Sequence, residues 1–192
     1  MKLKIFNNIN RNKIPSDWKI EKLEQITKII TKGTTPTTYG YDFVDKGVNF
    51  IKIESINDVN GTLNENMFNK ITKECHKKLS RSEIQENDIL FAIAGSLGKC
   101  AKVRKSNLPA NINQALAIIR LKDNINNDFI FQQLKGPQIQ KYISKLVSNT
   151  AQPNINLKQL SGFPIVFPSK KEQEKIVEIL SAWDLAIEKQ EQ

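Results

Sequence analysis

Histidine, cysteine, arginine and long apolar runs are all scarce in this sequence, and each scarcity excludes something. One histidine, His76, and two cysteines, Cys75 and Cys100, occur in 192 residues. Two cysteines are too few for a disulfide framework, so a small secreted scaffold is excluded and reduced thiols are expected. A metal site needs about four ligands at suitable spacing. Cys75 and His76 are sequence neighbours, which point apart on a regular element and rarely converge as a nucleophile and its base; the segment around them, residues 73–78, reads as solvated. The longest apolar run, residues 89–94, is six residues, far short of the roughly 18 that cross a bilayer. Residues 1–11 are basic without an apolar centre, unlike a secretory signal, so a cytoplasmic protein with no membrane partner is expected. Gly95-Ser96-Leu97-Gly98 lacks the lysine and following helix of a phosphate loop and reads as a β-turn. With no cofactor fingerprint and no carboxylates paired for acid–base work, the chain reads as a binding protein that uses neither metal nor cofactor.

What the sequence has in excess is positive charge. Lys and Arg total 29 against 20 Asp and Glu, a net charge of +9. Hydrophobic residues at 39% and charged residues at 26% fit a folded globular chain of one domain, with or without an appendage. The positive excess attracts polyanions, of which nucleic acid is the commonest, because neutralised phosphates release condensed counterions. Residues 70–105 carry nine basic side chains against four acidic ones, which makes that stretch a candidate patch. Arginine is limited to Arg11, Arg81, Arg104 and Arg120; a guanine read through a bidentate fork would have to use one of these.

The order of elements follows from periodicity and punctuation. Residues 1–17 are a polar lead-in. Ile20, Leu23, Ile26 and Ile29 or Ile30 predict a short helix turning into a strand. Gly33 and Pro36 break the chain into an exposed loop over residues 32–40. Val48, Phe50, Ile51 and Ile53 predict a strand, Asn60-Gly61 a tight turn, and residues 89–94 a buried strand after a turn at Glu86-Asn87-Asp88. Further strands are predicted over 99–104 and 115–121. The last third changes period: one helix capped by Asp128, a second starting at Pro137 with Ile139, Ile143 and Leu146 on one face, and a polar loop over 148–154. One helical turn over 157–160 and an edge strand over 163–168, with prolines near both ends, follow.

The final helix is the clearest element. Ser169 and Glu172 have capping-box spacing, and Ile176, Leu180, Trp183 and Ile187 follow at 4-3-4 spacing. Two readings stay open for that seam: it lies on its own domain, or it packs against a partner helix.

Particular residues then resemble a family. Trp18 with Leu23 and Ile26, followed by Gly33-Thr34-Thr35-Pro36, resembles the opening of a target recognition domain in the specificity subunit of type I restriction-modification enzymes. The likeness continues in order through Phe50-Ile51-Lys52-Ile53, Asp88-Ile89-Leu90 entering the Gly95–Gly98 turn, and Asn113-Gln114 before a strand. It ends with Thr150 to Asn154, Leu160 before Phe163-Pro164-Ile165, and Pro168 leading into Glu172-Gln173 and Ile176, with Leu180 and Asp184. It covers about residues 15–190.

The resemblance implies an α+β fold: a β-rich DNA-recognition domain over residues 18–168, after the lead-in 1–17, and a long C-terminal spacer and dimerisation helix over 169–192. It implies a non-catalytic subunit that reads one half of a bipartite target in double-stranded DNA. Methyltransferase subunits then flip out and modify an adenine with S-adenosylmethionine, and restriction subunits join the assembly. A full specificity subunit carries two recognition domains and two spacer helices, whereas this sequence shows one of each. A half-subunit that dimerises through its helix, a truncated product and a fragment all fit. Polar loop residues are the candidate base readers: Thr34, Thr35, Thr37, Thr38 and Tyr39 in the first loop, and Asn149, Thr150, Gln152 and Asn154 in the second. Lys32, Lys52, Lys99, Lys102 and Arg104 are candidate phosphate or base contacts, and Ile176, Leu180, Trp183 and Ile187 candidate partner-helix contacts. Two alternatives stand beside this reading: the recognition domain of a type II-like methyltransferase system, and a small hydrolase using Cys75 and His76.

Overall fold

Period-two alternation builds the centre of the molecule. In the computed structural model, which describes residues 14–148 and 153–190, β1 (Lys19–Lys22), a single helical turn α1 (Leu23–Ile26) and β2 (Thr27–Lys32) open the chain. There follow β3 (Val48–Ile51), β4 (Asn69–Ile71), α2 (Lys73–Lys78), β5 (Ile89–Ala92), β6 (Cys100–Lys102), β7 (Ala110–Ile112) and β8 (Leu116–Leu121). The last third holds α3 (Asn127–Lys135), α4 (Pro137–Leu146), α5 (Leu157–Ser161), β9 (Pro164–Phe167) and α6 (Lys170–Gln190).

A four-stranded antiparallel sheet, in the order β2-β8-β5-β6, forms the middle layer. Ile89 and Phe91 of β5, with Ala117, Ile119 and Leu121 of β8, face a helical layer that supplies Phe129, Ile130, Leu134, Ile139 and Ile143. The alternate residues Leu90, Ala92, Leu116 and Ile118 face the other way, against Ile51 of β3 and Ala110 and Ile112 of β7. Residues 89–94 are therefore an unbroken apolar run for a physical reason: this strand is covered on both faces. A three-stranded sheet, β4-β3-β7, forms the next layer, with β3 and β7 parallel. Its outer face packs Val48, Phe50 and Ile71 against Cys75 and Leu79, the latter just past the end of α2.

Three local readings are revised. Residues 19–22 are a strand rather than the start of a helix, because they pair with β9, Glu21 opposite Ile165. The cap of α3 is Asn126, whose side chain accepts from Phe129 N at 3.1 Å, rather than Asp128. The segment 73–78 is not a solvated stretch: it is a helix capped by Thr72, and its Cys75 is wholly buried.

The start of α6 is built as its spacing predicts. The Ser169 hydroxyl donates to Glu172 Oε2 at 2.7 Å and its backbone N–H donates to the same oxygen at 3.0 Å. These bonds, the hydroxyl foremost, hold the Glu172 carboxyl below the ordinary carboxylate range.

Candidate nucleic-acid interface

The first loop leaves the central sheet at a crowded corner. Lys32 lies opposite Ala117 and Leu116 opposite Ala92, so the end of β2, the start of β8 and the end of β5 share one edge of the molecule. Gly33 N donates to Leu116 O at 3.1 Å, and Thr34 N donates to Ile112 O at 3.2 Å. In two residues the chain thus steps from the central sheet onto the end of β7. A Cβ at Gly33 would overlap the backbone carbonyl oxygens of Ile112 and Asn113, so only glycine passes here. Pro36 is buried and starts a 3-10 turn, Pro36–Tyr39, which ends at Gly40 with φ +76°. Beyond that anchor Thr37, Thr38 and Tyr39 are exposed. The loop is fixed at its base and open at its tip.

A second segment flanks that tip. Asn111, fully buried in β7, donates its amide N–H groups to Leu79 O at 2.9 Å and to Ser82 Oγ at 3.2 Å. With both donors so used, its Oδ1 accepts from His76 Nδ1 at 2.6 Å. The other ring nitrogen of His76 lies 3.7 Å from Glu83 Oε1. One buried amide therefore ties β7, α2 and the 3-10 turn Ser80–Ser82 together. From this braced segment Lys78 places its ammonium 5.5 Å from the Tyr39 ring centroid, and Arg81 Nη2 donates to Thr34 Oγ1 at 3.2 Å. The Thr35 hydroxyl donates to the side-chain oxygen of Gln114.

Other predicted residues reach the same edge. Lys52 follows Ile51, whose carbonyl accepts from Asn113 N at 3.2 Å, and its ammonium sits 4.6 Å from the Phe43 ring centroid. The turn at residues 95–98 uses left-handed glycines, φ +70° at Gly95 and +85° at Gly98, and brings Lys99 within 3.7 Å of Asp58. Asn154 forms an isolated β-bridge with Ala94, two residues past the end of β5. Asn149, Thr150 and Gln152 lie outside the described residues. Lys102 and Arg104 are not brought to this edge: Lys102 lies opposite Ile89, further along β6, and is ion-paired with Asp128 at the start of α3. Arg104 begins the 3-10 turn Lys105–Asn107 beyond the strand.

Lys78, Gln114 and the bracing Asn111 are not among the residues the sequence singled out for a site, and Arg81 is named there only as one of four guanidinium candidates. Two signals for them exist in the sequence: the scarcity of arginine, and a lone amide between the apolar residues Ala110 and Ile112.

Both cysteines are buried free thiols. Burial raises both thiols, Cys100 to about 12 and Cys75 also above its usual value, where Glu74 adds to the effect. The His76 ring is engaged by Asn111 and lies beside Glu83. Among the described residues no hydrogen bond joins the His76 ring to either thiol.

A second surface lies on the helical layer. An open groove there is lined by Trp18, Phe129, Pro137, Tyr142, Ile176 and Leu180, among others. The early turns of α6 pack on their own domain, with Gln173 buried and Ile176 and Val177 half-buried against the core. Further along the seam emerges: Ile179, Leu180 and Trp183 are 50%, 39% and 68% exposed. The side chain of Ile187 lies outside the described residues. No helix among the described residues is long and apolar enough to cross a membrane.

Residues 15–192 match the family described as "Type I restriction modification DNA specificity domain". The type I restriction enzyme EcoBI specificity subunit of Escherichia coli is 33% identical over 187 residues, 92% of this chain and 38% of that protein. The MjaIX specificity subunit of Methanocaldococcus jannaschii is 24% identical over 183 residues, 95% of this chain and 41% of that protein. Among solved structures, the HsdS subunit from Thermoanaerobacter tengcongensis superposes with a TM-score of 0.62 at 18% identity, covering 93% of this chain and 41% of that one. A chain from a study of complex assembly and conformational transition in the type I restriction-modification system gives 0.64 at 20% identity, covering 92% and 40%. The chain spans about two fifths of the length of these relatives. It belongs to the type I restriction modification DNA specificity domain family.

Proposed function

We propose that this chain is a non-catalytic DNA-recognition module of a type I restriction-modification system. In this reading it takes one half of a bipartite target in double-stranded DNA and serves methyltransferase and restriction subunits that carry out the chemistry. The observation that carries it is the Gly33–Gly40 loop, pinned across two sheets at its base and exposing hydroxyls and Tyr39 at its tip beside Lys78 and Arg81. Fixed backbone with polar tips is what edge reading needs, and neighbouring cations supply the sequence-independent grip on phosphates. The domain division into recognition domain and spacer helix belongs to the same proposal, as does self-association through the exposed seam of α6. Ile179, Leu180 and Trp183, exposed along α6, are suited to packing against the same seam of a second copy, which would set two half-site readers a fixed distance apart.

The charge sets the test. Lys32, Lys52, Lys78, Arg81 and Lys99 stand on the loop edge; four or five phosphate contacts would give roughly a 150- to 500-fold loss of duplex affinity between 50 and 200 mM salt. Fluorescence anisotropy of the full chain with a labelled duplex measures this slope. An affinity that does not change with salt would count against the proposal.

A further inference from the structure

The four arginines of the chain meet four different fates. Arg120 is committed inside the fold, its Nε and Nη2 donating to the two carboxylate oxygens of Asp88 at 2.8 and 2.7 Å. Arg104 stands past the far end of β6, and Arg11 lies outside the described residues. Arg81 alone of the described arginines stands on the loop edge. It is exposed, and its one hydrogen bond among the described residues goes to the Thr34 hydroxyl; it makes no ion pair there.

Two features separate Arg81 from an ordinary solvated side chain. Its backbone is fixed, because the flanking Leu79 and Ser82 are buried and both are held by the Asn111 amide. Its guanidinium is oriented by one bond to Thr34, which leaves most of its five N–H donors directed at no protein group. A planar fork presented in this way matches a pair of acceptors lying side by side, and less ordering entropy is lost when it binds. The setting favours a base edge over a phosphate. The neighbours on the loop side are a hydroxyl and an amide, Thr35 and Gln114, while the point charge suited to a phosphate is Lys78, set apart beside the Tyr39 ring.

We propose that Arg81 is a specificity-determining residue whose guanidinium, oriented by Thr34, takes the O6 and N7 acceptors of a guanine in the major groove of the target duplex. This assignment rests on the DNA-recognition reading above. The test is selection by the full chain from a pool of duplexes with a randomised segment, followed by the same selection with Arg81→Gln and Arg81→Lys. The site is exposed, so both variants keep the core. The wild type should enrich a motif with a fixed guanine. Both variants should lose preference at that single position by about 5- to 150-fold while keeping the others. Lysine, which retains the charge, should not restore it. A wild-type motif without a fixed guanine, or one whose guanines all persist in the variants at any overall affinity, overturns the assignment. A wild-type chain that enriches no sequence overturns the DNA-recognition reading itself.

Discussion

Replacing Asp88 by Ala is expected to lower folding stability by about 3–5 kcal/mol, a large fraction of what a domain of this kind possesses. Asp88 is 1% exposed, and its carboxylate accepts the Arg120 fork and the backbone N–H of Gln85 at 2.7 Å. Its backbone adds to the same corner: Val103 N donates to Asp88 O at 2.9 Å. Bonding to Asp88 raises the Arg120 guanidinium above its already high value; without Asp88 that contribution is lost, but a guanidinium is not deprotonated in proteins and the cation remains. Deletion removes the hydrogen-bonded counterion of a side chain that is only 20% exposed, leaving Glu83 as a weaker electrostatic neighbour. Denaturant titration measures the loss. Pairing Asp88→Leu with Arg120→Met should recover much of it, because then no uncompensated charge remains. A shift of under about 1 kcal/mol for Asp88→Ala would mean that water screens the pair as it does a surface bridge.

The second large effect concerns assembly. Leu180→Glu with Trp183→Glu is expected to weaken self-association of the chain by roughly a thousandfold. Each side chain recurs in both copies of a symmetric pair, and four such burials at about 1 kcal/mol each sum to about 4 kcal/mol. At 68% and 39% exposure, Trp183 and Leu180 both leave apolar surface open to a partner. Ile176 and Val177, which pack at home, are left in place, so the fold should survive. Sedimentation velocity distinguishes the outcomes: identical assembly for wild type and variant would mean that the seam carries no self-association.

Much of this architecture was legible in the sequence, and the exceptions have physical reasons. The run at 89–94 announced a buried strand, formed over Ile89–Ala92, and the capping spacing of Ser169 and Glu172 announced the last helix. Short elements were harder. A three-residue strand such as β4 or β7 contains too little alternation to read, and α2 shows one buried side chain, Cys75, among charged ones. Residues 20, 23 and 26 fit a helical period, yet pairing with β9 decides in favour of strand for the first of them. Tertiary partners overrule local preference there.

The candidate site divides in the same way. Glycine, proline and threonine marked the loop, because punctuation and polarity are local properties. Its flank showed only as part of a basic stretch, with nothing to say that it meets the loop. Lys78 and Arg81 reach the loop only because Asn111, thirty positions beyond Arg81 in the sequence, holds their segment in place. Lys102 illustrates the opposite case: a basic residue in the expected stretch is taken up by Asp128 once the chain folds.

Amide hydrogen exchange of the full chain, with and without a saturating duplex, tests most directly where the nucleic acid sits. Slowed exchange over residues 34–40, 80–82 and 113–115, with α3, α4 and α6 unchanged, is the predicted result. Protection confined to the helical layer, with those loops exchanging as before, would contradict it.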